Sequence, residues 1–262
     1  MMVTNAEIKS PREENGPVWS ESDLQENPHV DADKAKKVEA MFTSISSRYD
    51  LNNRLHSLWL DQVWRKKAVK AANVTSNDTV LDVACGTGDL STAFARANPQ
   101  SVLGIDFTQG MIDLAVQKAK RDRLDIEYRR GDAMQLDVPD ESVDVLSIAF
   151  GIRNVQDPRG ALQEFQRVLR PSGRLVILEF STPKNAVIRF FNSFYTRQIM
   201  PRTASFIAGD DSGAYQYLPK SVDTFLEPEG LLSLVKEAGF SRTSQTPFTF
   251  GVCTLTVGYK VN

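Results

Sequence analysis

The stretch Val80-Leu81-Asp82-Val83-Ala84-Cys85-Gly86-Thr87-Gly88-Asp89 leaves its chain few ways to fold. Small and apolar residues around one acid read as a buried parallel strand. Glycines at 86 and 88 then make a turn in which the backbone can approach a ligand with no Cβ in the way. An amphipathic helix follows from Leu90 to about Ala97. Strand, glycine turn and helix in this order form a ligand-binding βα turn, and the spacing limits the ligand. A dinucleotide fingerprint needs a third glycine three residues after the second, and Ser91 holds that place. No Gly-Lys-Ser/Thr follows the turn, so it is not a P-loop.

Two more elements point to the same end of a sheet. Ser101-Val102-Leu103-Gly104-Ile105-Asp106 is a short apolar strand ending in an acid, placed to accept hydrogen bonds from ribose hydroxyls. Ile126-Glu127-Tyr128-Arg129-Arg130-Gly131-Asp132-Ala133 is a strand ending in a polar turn placed to meet an adenine edge. Asp-x-x-x-Gly-x-Gly, a strand-end acid and Gly-Asp-Ala together resemble the class I S-adenosylmethionine-dependent methyltransferases.

The alternation continues with strands at 143–150 and 173–180 and helices at 109–121 and 158–169. Such βαβ units imply a doubly wound, mostly parallel α/β sheet, here of seven strands, with ligands bound beyond the strand carboxyl ends. Pro171-Ser172-Gly173 reads as a stop between helix and strand. Upstream, Ala32 to Ile45, Tyr49 to Trp59 and Asp61 to Lys66 read as a helical N-terminal extension. Residues 184–226 break the rhythm as a helical insertion before the last strands. In it Val187, Phe190, Phe191, Phe194, Tyr195, Gln198 and Ile199 share one helical stripe, and Pro201 is expected to end it. Residues 1–35, rich in acids, Asn, Ser and Pro, read as a flexible solvated arm, leaving 36–262 as a single domain.

Composition narrows the function further. A net charge of −2 gives no electrostatic footprint for nucleic acid, so none is expected as a partner. Two distant cysteines and two histidines make no metal spacing, and no metal is expected. No apolar run reaches the ~18 residues of a membrane span, and the N-terminus lacks the apolar core of a signal peptide. A cytoplasmic location is the expectation.

The acceptor is carried by other motifs. Tyr49-Asp50-x-x-Asn53 with Ser57 and Trp64 is the first of them. Ala149-Phe150-Gly151-Ile152-Arg153-Asn154-Val155, Arg167-Val168-Leu169-Arg170-Pro171-Ser172-Gly173, Tyr215-x-Tyr217-Leu218 and Gly258-Tyr259-Lys260 follow in order. From residue 41 to 260 the chain resembles the C-methyltransferases of menaquinone and ubiquinone biosynthesis, with Asp61 where that family often has a histidine.

The resemblance implies S-adenosylmethionine as methyl donor and a polyprenylated quinol as acceptor, either demethylmenaquinol or a 2-polyprenyl-benzoquinol. It implies donor contacts at Thr87, Asp106, Asp132 and Ala133, with Ala149 nearby. The residues themselves add Gly86 and Gly88 for close approach and Asp82 either for the amino-acid end or as a brace of the turn. Arg153 and Asn154 are the candidates for engaging the quinol oxygen, since a cation lowers a phenol's pKa, with Tyr49 a further candidate at the lid. Arg153 as an anchor to a carboxylate is the other reading. A lipid acceptor implies peripheral membrane contact, and a homodimer is left open. Another small lipid-like acceptor, or a non-catalytic cofactor-binding scaffold of a quinone-synthesis complex, remains the alternative.

Overall fold

The computed structural model describes residues 17–203 and 213–261. Seven strands form one sheet in the order β3-β2-β1-β4-β5-β7-β6. Strands β1 (Thr79–Val83), β2 (Ser101–Asp106), β3 (Glu127–Arg130), β4 (Val143–Ala149) and β5 (Leu169–Phe180) run parallel. Strand β7 (Cys253–Lys260) lies antiparallel between β5 and β6 (Phe240–Phe248). The central strands bury both faces, which is why they read as continuous apolar runs rather than alternating ones.

Each face has its own core. Leu81, Leu146, Ile148 and Ile177 pack under α6 (Pro158–Val168) and α9 (Pro228–Glu237). Val80, Val145, Val176 and Leu178 pack under α3 (Leu60–Ala72) and α4 (Asp89–Ala95). Helix α6 illustrates the local cause. Asp157 caps it by accepting the Arg159 N–H at 3.0 Å, and Pro158 presets the first turn. Ala161, Leu162, Phe165 and Val168 then recur on the buried side. Burying a side chain such as Phe165 contributes roughly 1.5–3 kcal/mol.

Several elements differ from the sequence expectation. The two upstream helical segments are one 24-residue helix, α2 (Lys34–Ser57), because neither glycine nor proline interrupts it. It closes at Leu58 and Trp59, both left-handed with φ of 51° and 61°, and α3 starts at once. The expected stop at Pro171–Gly173 is a bulge within β5. Val143 pairs Leu169, Val145 pairs Arg174, and Ser172 takes φ 63°. In the insertion, α7 (Ala186–Phe194) widens into a π turn over Tyr195–Ile199 and continues past Pro201 to residue 203. The wider turn precedes the proline, whose missing N–H leaves one carbonyl of the preceding turn unpaired. Helix α8 (Ala214–Thr224) completes the insertion.

The solvated-arm reading also needs correction. Residues 1–16 lie outside the described residues, but residues 17–35 are folded. A short helix, α1 (Glu21–Gln25), is capped by Ser20, and Trp19 is 1% exposed, stacked on Tyr217 at 4.5 Å. One aromatic anchor outweighs the polar composition around it, because a buried tryptophan dominates local burial.

Two glycines of the sheet's ligand end make room for one ring. A Cβ on Gly88 would stand 2.2 Å from the Tyr128 hydroxyl, and one on Gly104 would stand 2.5 Å from the Tyr128 ring. Gly88 also takes φ 81°. We expect Gly88→Ala to destabilise the fold by about 2–4 kcal/mol, from overpacking and backbone strain together, as measured by urea denaturation.

Candidate active site

The sheet changes direction between β1 and β4, and a crevice opens beyond their carboxyl ends. Both strands leave through left-handed residues, Ala84 at φ 50° and Phe150 at φ 59°. Gly151 lets the two exits close on each other, since a Cβ there would lie 2.6 Å from that of Ala84. A first cavity of about 810 Å³, its open mouth included, fills this crevice. Its wall brings together Gly86, Asp106, Asp132, Ala133, Ala149, Asn154 and Tyr49 of the residues the sequence singles out.

The wall suits a nucleoside. Gly86 has φ 55°, and a Cβ there would meet nothing within 4 Å, so the glycine opens the cavity rather than packing against protein. The Asp106 carboxylate accepts the Gly86 N–H at 2.8 Å and the Thr108 N–H at 2.9 Å. Burial pushes this carboxyl above its ordinary range, against the pull of its hydrogen bonds to Thr108, Gly86 and Phe107. Asp132 accepts the Met134 N–H at 2.9 Å beside Ala133. Phe107, Met111 and Met134 supply a flat apolar lining that the sequence reading missed. Only Phe107, next to the strand-end acid, carried a signal that could have found it.

Three predicted donor contacts lie elsewhere. Asp82 is 1% exposed and sits beneath the cavity, its two oxygens accepting Ser91 Oγ at 2.6 Å and Ser147 Oγ at 2.7 Å. It braces β1, β4 and α4, the second of the two roles its position in the sequence allows, and it does not line the cavity. Thr87 turns its hydroxyl to Asp50 of α2 at 2.5 Å, away from the cavity. Gly88 makes room for Tyr128 and does not line the cavity. In each case a polar or packing partner on another element, invisible in local sequence, takes up the residue.

A second, mostly apolar cavity of about 1360 Å³, its mouth included, lies between α2, α3, α7 and α8. Helix α2 separates the two. Ala35, Val38, Phe42 and Tyr49 form a stripe along the first cavity, while Met41, Ile45, Asn53 and His56 line the second. Phe42, Tyr49 and Phe150 belong to both and form their common wall. Burial raises the pKa of Tyr49, although Arg65 pulls it the other way.

His56 binds the Tyr195 hydroxyl through Nδ1 at 3.0 Å, which ties α2 to the insertion, and burial pushes its imidazole below the ordinary value. Asn154 accepts the Tyr217 hydroxyl at 2.9 Å on the donor side. Arg153 lines the second cavity, but its Nη1 lies 2.5 Å from Glu179 and 2.8 Å from the Phe150 carbonyl. A guanidinium held this way is an anchor. It cannot turn to an acceptor oxygen without baring the buried Glu179 carboxylate.

The sheet order β3-β2-β1-β4-β5-β7-β6, with a cavity at its switch point, is the fold of the class I S-adenosylmethionine-dependent methyltransferases. The fold agrees with solved structures. It is similar to a SAM-dependent methyltransferase from Aquifex aeolicus (TM-score 0.56, 18% identity, 75% of this chain and 89% of that one). It is also similar to a SAM-dependent methyltransferase from Thermotoga maritima (TM-score 0.58, 16% identity, 85% and 99%). Residues 30–260 match the ubiE/COQ5 methyltransferase family, and the chain belongs to it. It is 43% identical over 229 residues to the demethylmenaquinone methyltransferase of Deinococcus radiodurans, covering 87% of this chain and 94% of that protein. It is 40% identical over 234 residues to the ubiquinone/menaquinone biosynthesis C-methyltransferase UbiE of Geobacter sulfurreducens, covering 87% and 90%.

Two measurements check the site. Gly86→Val would push a branched side chain into the first cavity, and S-adenosylmethionine affinity should fall at least ~10-fold by calorimetry, with Gly86→Ala, which bears the same φ 55° strain but fills less of the cavity, losing less. Asp82 has its carboxyl pushed up to about 6, from 3.8, by burial, against the pull of Ser91 and Ser147. The folded chain therefore holds that proton more tightly than the unfolded one. The stability so contributed is fully present below pH 3.8 and is lost as pH rises through about 6. Asp82→Asn should flatten this part of the stability curve, by on the order of 2–3 kcal/mol between pH 4 and 7.5 in urea denaturation.

Proposed function

We propose that the chain methylates a ring carbon of demethylmenaquinol, with a 2-polyprenyl-1,4-benzoquinol as the other acceptor of the same chemistry. The observation that carries this reading is the common wall of Phe42, Tyr49 and Phe150 between a nucleoside-shaped cavity and a larger apolar one. S-adenosylmethionine, when bound, supplies an electrophilic methyl group on a sulfonium, and the sulfur keeps the bonding pair when the ring carbon takes the methyl.

The chain's own work is binding, orientation and exclusion of water. Asp106 holds the ribose hydroxyls, and Asp132 with Ala133 borders the adenine. The Gly86 turn admits the methionine part, and Ala149 and Asn154 close the floor. Tyr49 and Phe150 hold the acceptor ring against the donor side. Positioning of this kind can supply ~7–11 kcal/mol of barrier lowering in favourable cases.

The acceptor carries a polyprenyl chain, which places it in a bilayer, and the second cavity opens among apolar side chains. Leu58 and Trp59 follow the lining residue Ser57 in the chain. Phe191 and Phe194 flank Asn192 and Ser193, and Phe250 precedes Val252. All five are between 52% and 79% exposed. Peripheral contact of this rim with the membrane surface follows as part of the proposal. Among the described residues no helix is long and apolar enough to cross a membrane.

The test is direct. Purified chain, S-adenosylmethionine and reduced demethylmenaquinone should yield menaquinone and S-adenosylhomocysteine in equal amounts by mass spectrometry, with the benzoquinol run alongside. Failure to methylate either quinol would overturn the reading.

A further inference from the structure

Two buried arginines line the acceptor cavity, and they differ in what holds them. Arg153 is paired through Nη1 with Glu179 at 2.5 Å and the Phe150 carbonyl at 2.8 Å, and its Nε lies 3.4 Å from Ser221 Oγ. Arg65 is 7% exposed, yet its hydrogen bonds among the described residues are long: Nη1 lies 3.4 Å from both the carbonyl and the carboxylate of Asp61. That carboxylate is already shared with Ser57 Oγ at 2.9 Å and Gln62 Nε2 at 2.9 Å. Among the described residues the buried Nε of Arg65 has no partner at all. An unpaired buried donor of this kind is costly, and a ligand oxygen would relieve the cost. The guanidinium is centred 5.0 Å over the Phe150 ring, and Phe150 is part of the wall where the two cavities meet.

We propose that Arg65 is a catalytic residue that binds the acceptor's ring oxygen as its phenolate, at the wall beside which the methyl is transferred. The inference rests on the function proposed above. The hydroxyl O–H bond breaks, the proton leaves to solvent water through the mouth of the cavity, and the electron pair stays on oxygen against the guanidinium. The charge thus retained makes the adjacent ring carbon nucleophilic, and once that carbon has taken the methyl its C–H proton leaves to water, which restores the aromatic ring. A free phenol ionises at pH ~10, so each unit by which Arg65 lowers that value raises the anion fraction at neutral pH tenfold. The planar fork and its stacking on Phe150 suit arginine, and a lysine would keep only the charge.

The test uses the full chain and a reporter acceptor, 1-naphthol, whose anion absorbs apart from its neutral form. Bound to wild type, the naphthol should ionise at least one pH unit lower than in free solution. Arg65→Gln should abolish that shift, and Arg65→Lys should keep part of it. With demethylmenaquinol, kcat of Arg65→Gln should fall on the order of 10²-fold, with its pH profile displaced to higher pH. S-adenosylmethionine affinity by calorimetry should stay within about twofold of wild type, showing that the variant is folded. If naphthol ionises alike on wild type and Arg65→Gln while wild type still methylates demethylmenaquinol, the Arg65 role is overturned and the function stands. A shift that vanishes in Arg153→Gln instead overturns it equally. A wild type that methylates no quinol overturns both.

Discussion

Helix α2 is held over the glycine turn by a mesh of charges, and both cavities exist because it is held there. Asp50 takes the Thr87 hydroxyl at 2.5 Å and Lys118 at 2.7 Å, and Lys118 also reaches Asp89 at 2.5 Å. Arg54 and Gln62 close on the same Asp89 from above. Burial alone would push the Asp89 carboxyl up, but Arg65, Lys118 and Arg54 bring it below the ordinary range. These groups are between 12% and 28% exposed, so they form a partly desolvated network rather than isolated surface pairs. The mesh fixes the C-terminal half of α2, which carries Tyr49 of the wall common to both cavities. Without it the donor crevice and the acceptor cavity would lose that part of their wall.

The glycine turn does less ligand contact than its spacing suggests and more structural work. Among the residues from Asp82 to Asp89, Ala84 and Gly86 line the first cavity. Gly88 accommodates Tyr128, Thr87 fastens α2, and Asp82 ties three elements together from below. Ser91, which stands where a dinucleotide turn has its third glycine, supplies one of the two hydroxyls that satisfy Asp82. A substitution that argued against one ligand class is itself part of how the turn is braced.

The sheet was legible because its signals are local and periodic. Strand-end acids, apolar runs and helix caps each speak for themselves, and the order of elements follows from short right-handed connections. Asp106 and Asp132 stood out as acids at the ends of strands, whereas Ala149 entered only through the resemblance; all of them, with Ala133, line the first cavity. What stayed hidden depends on partners far away in the chain. Arg153 is an anchor only because Glu179 lies opposite, 26 residues on. Arg65 reads as one more charge on an amphipathic helix until α2, Phe150 and the insertion enclose it. The stripe of the insertion read as amphipathic from its spacing, but Val187, Phe190 and Phe191 are 64–66% exposed, which no periodicity distinguishes from a buried stripe.

The stacking of Trp19 on Tyr217 shifts where the working unit begins. Tyr217 donates its hydroxyl to Asn154, and Asn154 lines the donor cavity. A side chain so far ahead of α2, which begins at Lys34, would be easy to trim as a tail. Yet Trp19 stands only two contacts from the cofactor wall. Composition places a cut near residue 35, and geometry places the minimal fragment that keeps its donor site intact upstream of Trp19.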